Sequence, residues 1–426
     1  MLKERIQYLC DKKQVTRKEL TDGLVTQAHF SNILAGRYAL PDDLAEEMAQ
    51  RLGVETDYIA QTDNTDASTL QEAERIFEIL TAQASAIPEQ QVNDLPDRHP
   101  ALTVELTTAL MKATYYQQLN DPDAYQYVHQ SYLNFYLEHF GRPDQIQLPV
   151  PLLKALLFYK IQRFRSLGQY YDVLYQLELW LPLLDQGNEI WLTAQQISME
   201  AYVHTRQFEQ AKTAFTKMTA HIYEQRMFHR LSGLYVLYSG YCFSMEWTQE
   251  ALTALAMAEA HLVHTQHQSD TLSAIMNNRI IMLTRSGEME QAEQELTRFQ
   301  AILQMQSEEA QKGWEPIVLV YRCEIALTRK DWGTLVSLLD RLRNCTLATD
   351  QQMALCFYES QLSLSSGQHE SFVERALQCL PYFEGIRQQD RLSVLYEGLA
   401  TVAEEQRRYK DAALYYRKLV YVLRHA

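Results

Sequence analysis

The sequence predicts an all-α protein: an N-terminal helix-turn-helix domain followed by a right-handed α-solenoid of helix pairs. Three observations lead there. Glycine and proline are scarce, 14 and 11 in 426 residues, and both interrupt helices. In the first 60 residues apolar positions recur at helical spacing between capping residues. From about residue 154 onward, a large residue followed three positions later by a second packing residue returns about every 40 positions, the mark of stacked helix pairs.

The elements of the N-terminal segment follow in order. Leu2, Ile6 and Leu9 share one face of a first helix. Thr16 is a good N-cap, and Glu19 three residues later completes a capping box for a second helix that runs to about Asp22. Gly23 supplies a turn residue able to take positive φ. Thr26 caps a third helix with Phe30, Ile33 and Leu34 inward, and Gly36 ends it. Pro41 and Asp42 open a fourth, with Leu44, Met48 and Leu52 inward and Gly53 as its stop. Short helices with a tight turn between the second and third are helix-turn-helix grammar.

This segment, residues 2–59, resembles the Cro/C1-type (XRE) helix-turn-helix family. The resemblance rests on Thr16-Arg17-x-x-Leu20, Thr26-Gln27-x-x-Phe30-Ser31, Gly36-Arg37 and Leu52-Gly53-Val54-x-x-Asp57-Tyr58. It departs from the family at Leu34 and Ala35, where an acidic and a basic residue are usual, and at Thr21, often Ala. The resemblance implies that helix three enters the DNA major groove. Gln27, Ala28, His29 and Asn32 would then face base edges, and Arg17, Ser31 and Arg37 the phosphates. Charge moderates this reading. Residues 1–60 hold eight Lys/Arg and ten Asp/Glu, net −2. Within residues 1–40 the balance is +3, and the remaining acids gather on helix four and beyond. Few basic contacts imply modest affinity per domain. Dimerisation on a palindromic site compensates.

Bulk properties bound the rest. At 49.6 kDa the chain has room for two or three domains. It is 46% hydrophobic and 22% charged, ordinary for a soluble protein. No apolar run is long enough for a membrane span, and the charged start Met1-Leu2-Lys3-Glu4-Arg5 is unlike a signal peptide. A cytoplasmic protein without membrane association is expected. The six cysteines have no C-x-x-C spacing and read as buried thiols rather than disulfides or zinc ligands.

Residues 61–69 are polar and capping-rich and read as a short linker, with a helix from about Leu70 and an irregular stretch from Pro88 to Pro100. Residues 70–426 form the repeat domain. Its clearest copies are Phe208-x-x-Ala211-x-x-x-Phe215, Met289-x-x-Ala292-x-x-x-Leu296 and Tyr409-x-x-Ala412-x-x-x-Tyr416. Weaker copies centre on Val173, Ala251, Leu335 and Phe372, making seven in all. One or two degenerate pairs precede them, between Leu70 and Phe140. Gly168, Gly287 and Gly367 occupy the tight turns. These copies resemble the tetratricopeptide repeat, although they are longer than is usual there and have mostly lost the small residue of the first helix.

An XRE-type head followed by long, degenerate tetratricopeptide-like repeats resembles the RRNPP family of peptide-sensing regulators of Gram-positive bacteria, and the length resembles its longer members. That resemblance implies a cytosolic quorum-sensing transcription regulator, a homodimer, controlled by a short signalling peptide in the concave repeat surface. Carrying the register of tetratricopeptide repeats over from the turn residues places Asn277 and Asn278 on the inner face, flanked by Arg285. Neighbouring copies contribute Gln162 and Arg165, Gln196 and Glu200, Tyr321 and Glu324, and Tyr358 and Gln361. Side-chain amides suit a peptide backbone, and arginine suits a carboxylate. Of the net charge of −15, −13 lies beyond residue 60, which favours a peptide of basic character.

Other classes are poorly supported. His261, His264 and His267 are spaced by three, so only adjacent pairs share a helix face, and no metal is expected. There is no G-x-S-x-G, H-E-x-x-H or phosphate-cradling glycine loop. The chain is read as a non-enzyme without a cofactor. Two alternatives stay open: a DNA-binding regulator whose repeats hold a protein partner, and a repeat-domain adaptor acting on a response regulator.

Overall fold

The structure is a computed structural model that describes residues 1–82, 87–119, 121–140, 148–265, 268–305, 308–386 and 388–424. The described elements are all helical, as expected. The chain divides into two compact units, Met1–Met227 and Phe228–Ala426.

The first unit begins with five short helices: α1 (Leu2–Lys13), α2 (Arg17–Thr21), α3 (Gln27–Leu34), α4 (Asp42–Leu52) and α5 (Thr56–Ala60). The capping box forms. The Thr16 amide donates to Glu19 Oε2 at 2.8 Å, and the Glu19 amide donates to Thr16 Oγ1 at 3.2 Å. Thr26 accepts the His29 amide at 3.3 Å and opens α3. Gly23, Gly36 and Gly53 all take positive φ, at 72°, 70° and 64°. Ile6, Leu20, Phe30, Ile33, Met48 and Leu52 close a small core, with Leu34 partly buried at its edge.

Residues 61–69 are pinned at several points. The Asp63 carboxylate accepts the Leu2 amide at 2.9 Å. The carbonyl of buried Thr62 accepts the Leu102 amide at 3.0 Å. Asp66 caps α6 (Ala67–Ala82) by accepting from the Thr69 amide and the Ser68 hydroxyl, each at 2.8 Å, and these bonds lower its pKa. The stretch from Pro88 to Pro100 holds one short helix, α7 (Glu89–Asn93).

Next come α8 (Leu102–Gln118), α9 (Pro122–Val128), one π-helical turn (His129–Leu133) and α10 (Asn134–Phe140). Helix α8 is buried on nearly every side and packs against α6, α9 and the π turn, and against α11 (Val150–Ser166). The first unit then continues with α12 (Tyr170–Trp180), α13 (Glu189–His204) and α14 (Phe208–Gln225).

Among the described residues the second unit has five helix pairs: α15 (Leu231–Ser244) with α16 (Thr248–Ala260), α17 (Gln268–Arg285) with α18 (Met289–Leu303), α19 (Glu308–Thr328) with α20 (Trp332–Arg343), α21 (Thr349–Ser365) with α22 (His369–Gly385), and α23 (Gln389–Glu405) with α24 (Tyr409–Arg424). With α11–α12 and α13–α14, these are the seven expected copies. Each anchor (Val173, Ala211, Ala251, Ala292, Leu335, Phe372, Ala412) lies buried on the second helix of its pair.

One turn geometry recurs at every copy. Residues 168, 206, 246, 287, 330, 367 and 407 all adopt φ between 56° and 80°. The amide of the next residue returns to a carbonyl five residues back in the first helix, as in Gln169→Phe164 at 2.9 Å and Asp331→Ala326 at 2.8 Å, which closes the helix end. Three of the seven are glycines. The others, Arg206, Glu246, Lys330 and Arg407, hold the same left-handed backbone with a side chain.

The large anchor Phe372 is accommodated by a glycine elsewhere. A Cβ at Gly398 on α23 would meet Phe372 Cζ at 2.6 Å, so the bulk at one anchor is matched by an absence on the next helix.

These turns make a direct prediction. Gly287 has no atom near its missing Cβ, so Gly287→Ala adds only backbone strain and should lower unfolding stability by about 1–2 kcal/mol. Lys330→Gly should shift stability in the opposite direction, by less. Urea unfolding of both variants checks the pair.

Candidate functional sites

The outer face of α3 is polar and open. Gln27, Ala28, His29 and Ser31 are exposed and Asn32 is half-buried, while Phe30 and Ile33 anchor the other face. Several of these side chains are already positioned. Gln27 donates to Thr21 Oγ1 at 2.6 Å, Ser31 to the Gln27 carbonyl at 2.8 Å, and Arg37 to Asn32 Oδ1 at 3.0 Å. The His29 ring stacks on Tyr38, centroids 5.3 Å apart. Arg17 is half-buried at the start of α2. Arg51 on α4 donates to the carbonyls of Glu19, Leu20 and Asp22 at 3.2, 3.0 and 2.8 Å, closing the end of α2 and setting the turn into α3.

The five-helix head is clamped to the helices that follow it. Arg5 and Glu105 are paired at 3.1 Å with their side chains 0% and 1% exposed. Arg5 also donates to the carbonyls of Tyr58, at 2.8 Å, His99, at 3.0 Å, and Pro100. Glu105 accepts from the Tyr58 hydroxyl at 2.7 Å, the His99 amide at 2.9 Å and the Tyr132 hydroxyl. The node thus ties α1 and α5 to α8 and to the π turn. Burial, reinforced by the Glu105 charge, pushes the Tyr58 phenol far up, so it stays a donor. Around the node, Tyr8 packs against Tyr132, Phe135 and Tyr136 at centroid distances of 5.2–5.6 Å.

In the first unit, the expected peptide-facing residues of α11 and α13 partner one another. Arg165 donates to Gln162 Oε1 at 2.8 Å and to Glu200 Oε2 at 2.5 Å. Tyr170 reaches Glu200 at 3.4 Å and stacks on His204 with centroids 3.9 Å apart. Burial, with the Glu200 charge, takes the Tyr170 phenol up to about 12. Gln162 is buried, and Gln196 is half-buried one turn from Glu200.

In the second unit, α17, α19, α21 and α23 carry a polar row. The Tyr321 hydroxyl donates to Asn277 Oδ1. Asn278 beside it is half-buried, with no side-chain hydrogen bond among the described residues. Tyr358 is fully buried and donates to Glu324 Oε2 at 2.6 Å. Arg391 donates to the Tyr358 oxygen at 3.1 Å, lies 3.5 Å from Glu324, and covers the rings of Phe357, Tyr358 and Phe383 at 4.9–5.2 Å. Arg285, at the end of α17, approaches Asp390 at the start of α23 at 3.9 Å, both exposed. Gln361 is buried and bonded to Ser360 at 3.2 Å.

His267 lies outside the described residues. His261 stacks on Tyr235, and His264 beside it packs toward Phe228. Among the described residues no cluster has the makings of a metal site, and no helix is long and apolar enough to cross a membrane.

Sequence reading missed Arg5, Glu105, Arg51 and Arg391. Two of them left a trace. Arg5 sits within the apolar stripe Leu2-Ile6-Leu9, and Glu105 lies inside the otherwise uncharged run Ala101–Met111. Charges at such positions are buried and need a partner. Nothing marked the two as partners of each other.

These features define an all-α protein of tetratricopeptide-like helix pairs carrying a helix-turn-helix unit. Solved structures share the fold. A Rap protein complexed with Competence and Sporulation Factor aligns with a TM-score of 0.59 at 17% identity, over 84% of this chain and 98% of that one. Aspartyl phosphate phosphatase F from Bacillus subtilis aligns with a TM-score of 0.51 at 12% identity, over 84% and 94%. PlcR from Bacillus thuringiensis, solved with the peptide PapR7 and DNA, gives 0.31 at 12% identity, over 71% and 95%. The first two alignments, at TM-scores of 0.59 and 0.51, show the helix-pair fold that the sequence predicts. No sequence family model and no curated protein matches the chain.

The clamp predicts a non-additive mutant pair. Glu105→Leu leaves the Arg5 charge buried and unpaired and should cost about 3–5 kcal/mol. Arg5→Met combined with Glu105→Leu should recover much of that loss. Chemical denaturation of the single and double variants tests this, and strictly additive losses would contradict the coupling.

Proposed function

We propose that this protein is a peptide-controlled transcription regulator. The head formed by α1–α5 binds operator DNA through α3, and the polar row of the second unit holds a short signalling peptide. The observation that carries the reading is the exposed polar face of α3, set by the Thr26 cap and by Arg51, on a head fixed to its neighbouring helices through Arg5 and Glu105. In this reading Gln27, Ala28, His29 and Asn32 contact base edges, and Arg17, Ser31 and Arg37 contact phosphates. The near-neutral head makes modest contacts per copy, so a homodimer on a palindromic site supplies the affinity.

For the peptide, Asn277 and Asn278 offer amide donors and acceptors to a backbone, and Tyr321 and Glu324 extend that surface, while Tyr358 and Gln361 are buried and support it from beneath. Arg285 exchanges the exposed Asp390 for a peptide carboxylate at little cost, because an exposed ion pair contributes only about 0–1 kcal/mol. In the first unit, Gln162, Arg165, Gln196 and Glu200 form a second polar patch, where Arg165 must leave Glu200 before holding a carboxylate. The peptide acts by changing how two heads are presented to the two half-sites.

Two measurements test this. Asn32→Ala should weaken operator binding by about 1–3 kcal/mol while leaving unfolding and self-association unchanged, and unaltered affinity removes α3 as the reading helix. A thermal-shift screen against short peptides should find a ligand that adds about 2.7 kcal/mol at one hundred times its Kd. Asn277→Ala should abolish that shift, while the unliganded protein still folds and loses only the roughly 1–3 kcal/mol of the bond from the Tyr321 hydroxyl.

A further inference from the structure

In the second unit a charged residue recurs on the first helix of three successive pairs. It stands eight residues before the turn residue of positive φ: Arg279 on α17, Arg322 on α19 and Glu359 on α21. At two of the three copies it lies between two second helices, and both supply the opposite charge. Arg279 pairs with Glu259 of α16 at 2.9 Å and with Glu295 of α18 at 3.3 Å. Glu359 reverses the signs, pairing with Arg343 of α20 at 2.7 Å and with Arg375 of α22. The partners keep a register too. One stands thirteen residues after the turn on the preceding second helix, the other eight residues after the turn on the helix of the same pair.

Arg322 breaks this pattern. Its two partner positions hold Gln300 and Leu338. Gln300 accepts from the guanidinium at 2.6 Å with a neutral amide oxygen, and Leu338 is buried and apolar. Among the described residues no carboxylate pairs with Arg322. At this point a cavity of about 300 Å³ opens, walled by Arg322 and Leu338 and by the apolar Leu296, Ile325 and Ala326. The other charges along it are engaged. Arg329 is held by Glu293 at 2.8 Å, and the exposed Asp331 caps α20 by accepting the Thr334 amide at 3.1 Å. A half-buried cation is left without a counterion, and burying an unpaired charge is costly.

We propose that this cavity binds a small organic carboxylate. Its carboxylate sits on Arg322, as Glu295 does on Arg279, and its aliphatic body of a few carbons covers Leu296, Ile325 and Leu338. The planar guanidinium fork matches a carboxylate. An apolar wall with a few fixed polar groups is the usual form of a small-ligand site. The site is separate from the polar row of Asn277, Tyr321 and Tyr358, because its walls include the second helices α18 and α20. The bound anion completes at α19 the link between second helices that ion pairs make in the copies on either side.

The test uses the full chain at low ionic strength. Hexanoate is the probe, and hexylammonium carries the same body with the opposite charge. Saturation-transfer NMR should detect saturable binding of hexanoate and none of hexylammonium. Gln300→Glu places a carboxylate at the position that Glu259 holds beside Arg279. It should raise the melting temperature of the unliganded protein and weaken hexanoate by about tenfold or more, the worth of one charged hydrogen bond. Arg322→Gln should weaken hexanoate to a similar extent. No hexanoate signal in the wild type, equal binding of hexylammonium, or undiminished hexanoate binding in Gln300→Glu overturns the proposal.

Discussion

The first unit is organised around one buried ion pair. Removing Arg5 and Glu105 from water is expensive, and their mutual attraction offsets that only because nearly every remaining hydrogen-bonding position is filled. Backbone carbonyls of Tyr58, His99 and Pro100 take the guanidinium, while two tyrosine hydroxyls and the His99 amide take the carboxylate. Such a node adds little net stability over an apolar pair. What it supplies is a unique arrangement, since a shifted head would leave both charges stranded. The head therefore sits in one pose on α8, and α8 is the helix that the surrounding helices of the first unit share.

The repeats follow a different rule. Each copy ends its first helix with a left-handed residue and a returning amide bond, then buries a packing residue five positions later. This repeated geometry tolerates wide variation in side chains. Four of the seven turns use arginine, lysine or glutamate where glycine is easier, and Phe372 replaces a small anchor because Gly398 makes room. Because the turn fixes the backbone, the inner positions of the first helices are free to carry polar chemistry. In the second unit that chemistry is a chain of bonds from Asn277 through Tyr321 and, separately, from Glu324 through Tyr358 to Arg391.

What the sequence made legible was local or periodic. The Thr16–Glu19 box, the glycine stops and the 40-residue spacing each depend on residues close in the chain, so their geometry could be read directly. Arg5 and Glu105 stand 100 residues apart, and Arg391 meets Glu324 across two helix pairs; no periodicity connects them. The candidate peptide residues fell on the intended helices, but their partners were invisible. Arg165 was read as an open clamp, and it holds Glu200; Tyr358 was read as a surface aromatic, and it is fully buried beneath Arg391.

The proposed function requires two clamped heads to read DNA together. In vitro selection of random duplex DNA with the full-length protein tests it most directly. The account predicts enrichment of two inverted half-sites at one fixed spacing, about 10–10.5 base pairs centre to centre or a multiple of that. Enrichment of lone half-sites, of half-sites at variable spacing, or of no sequence at all would contradict it.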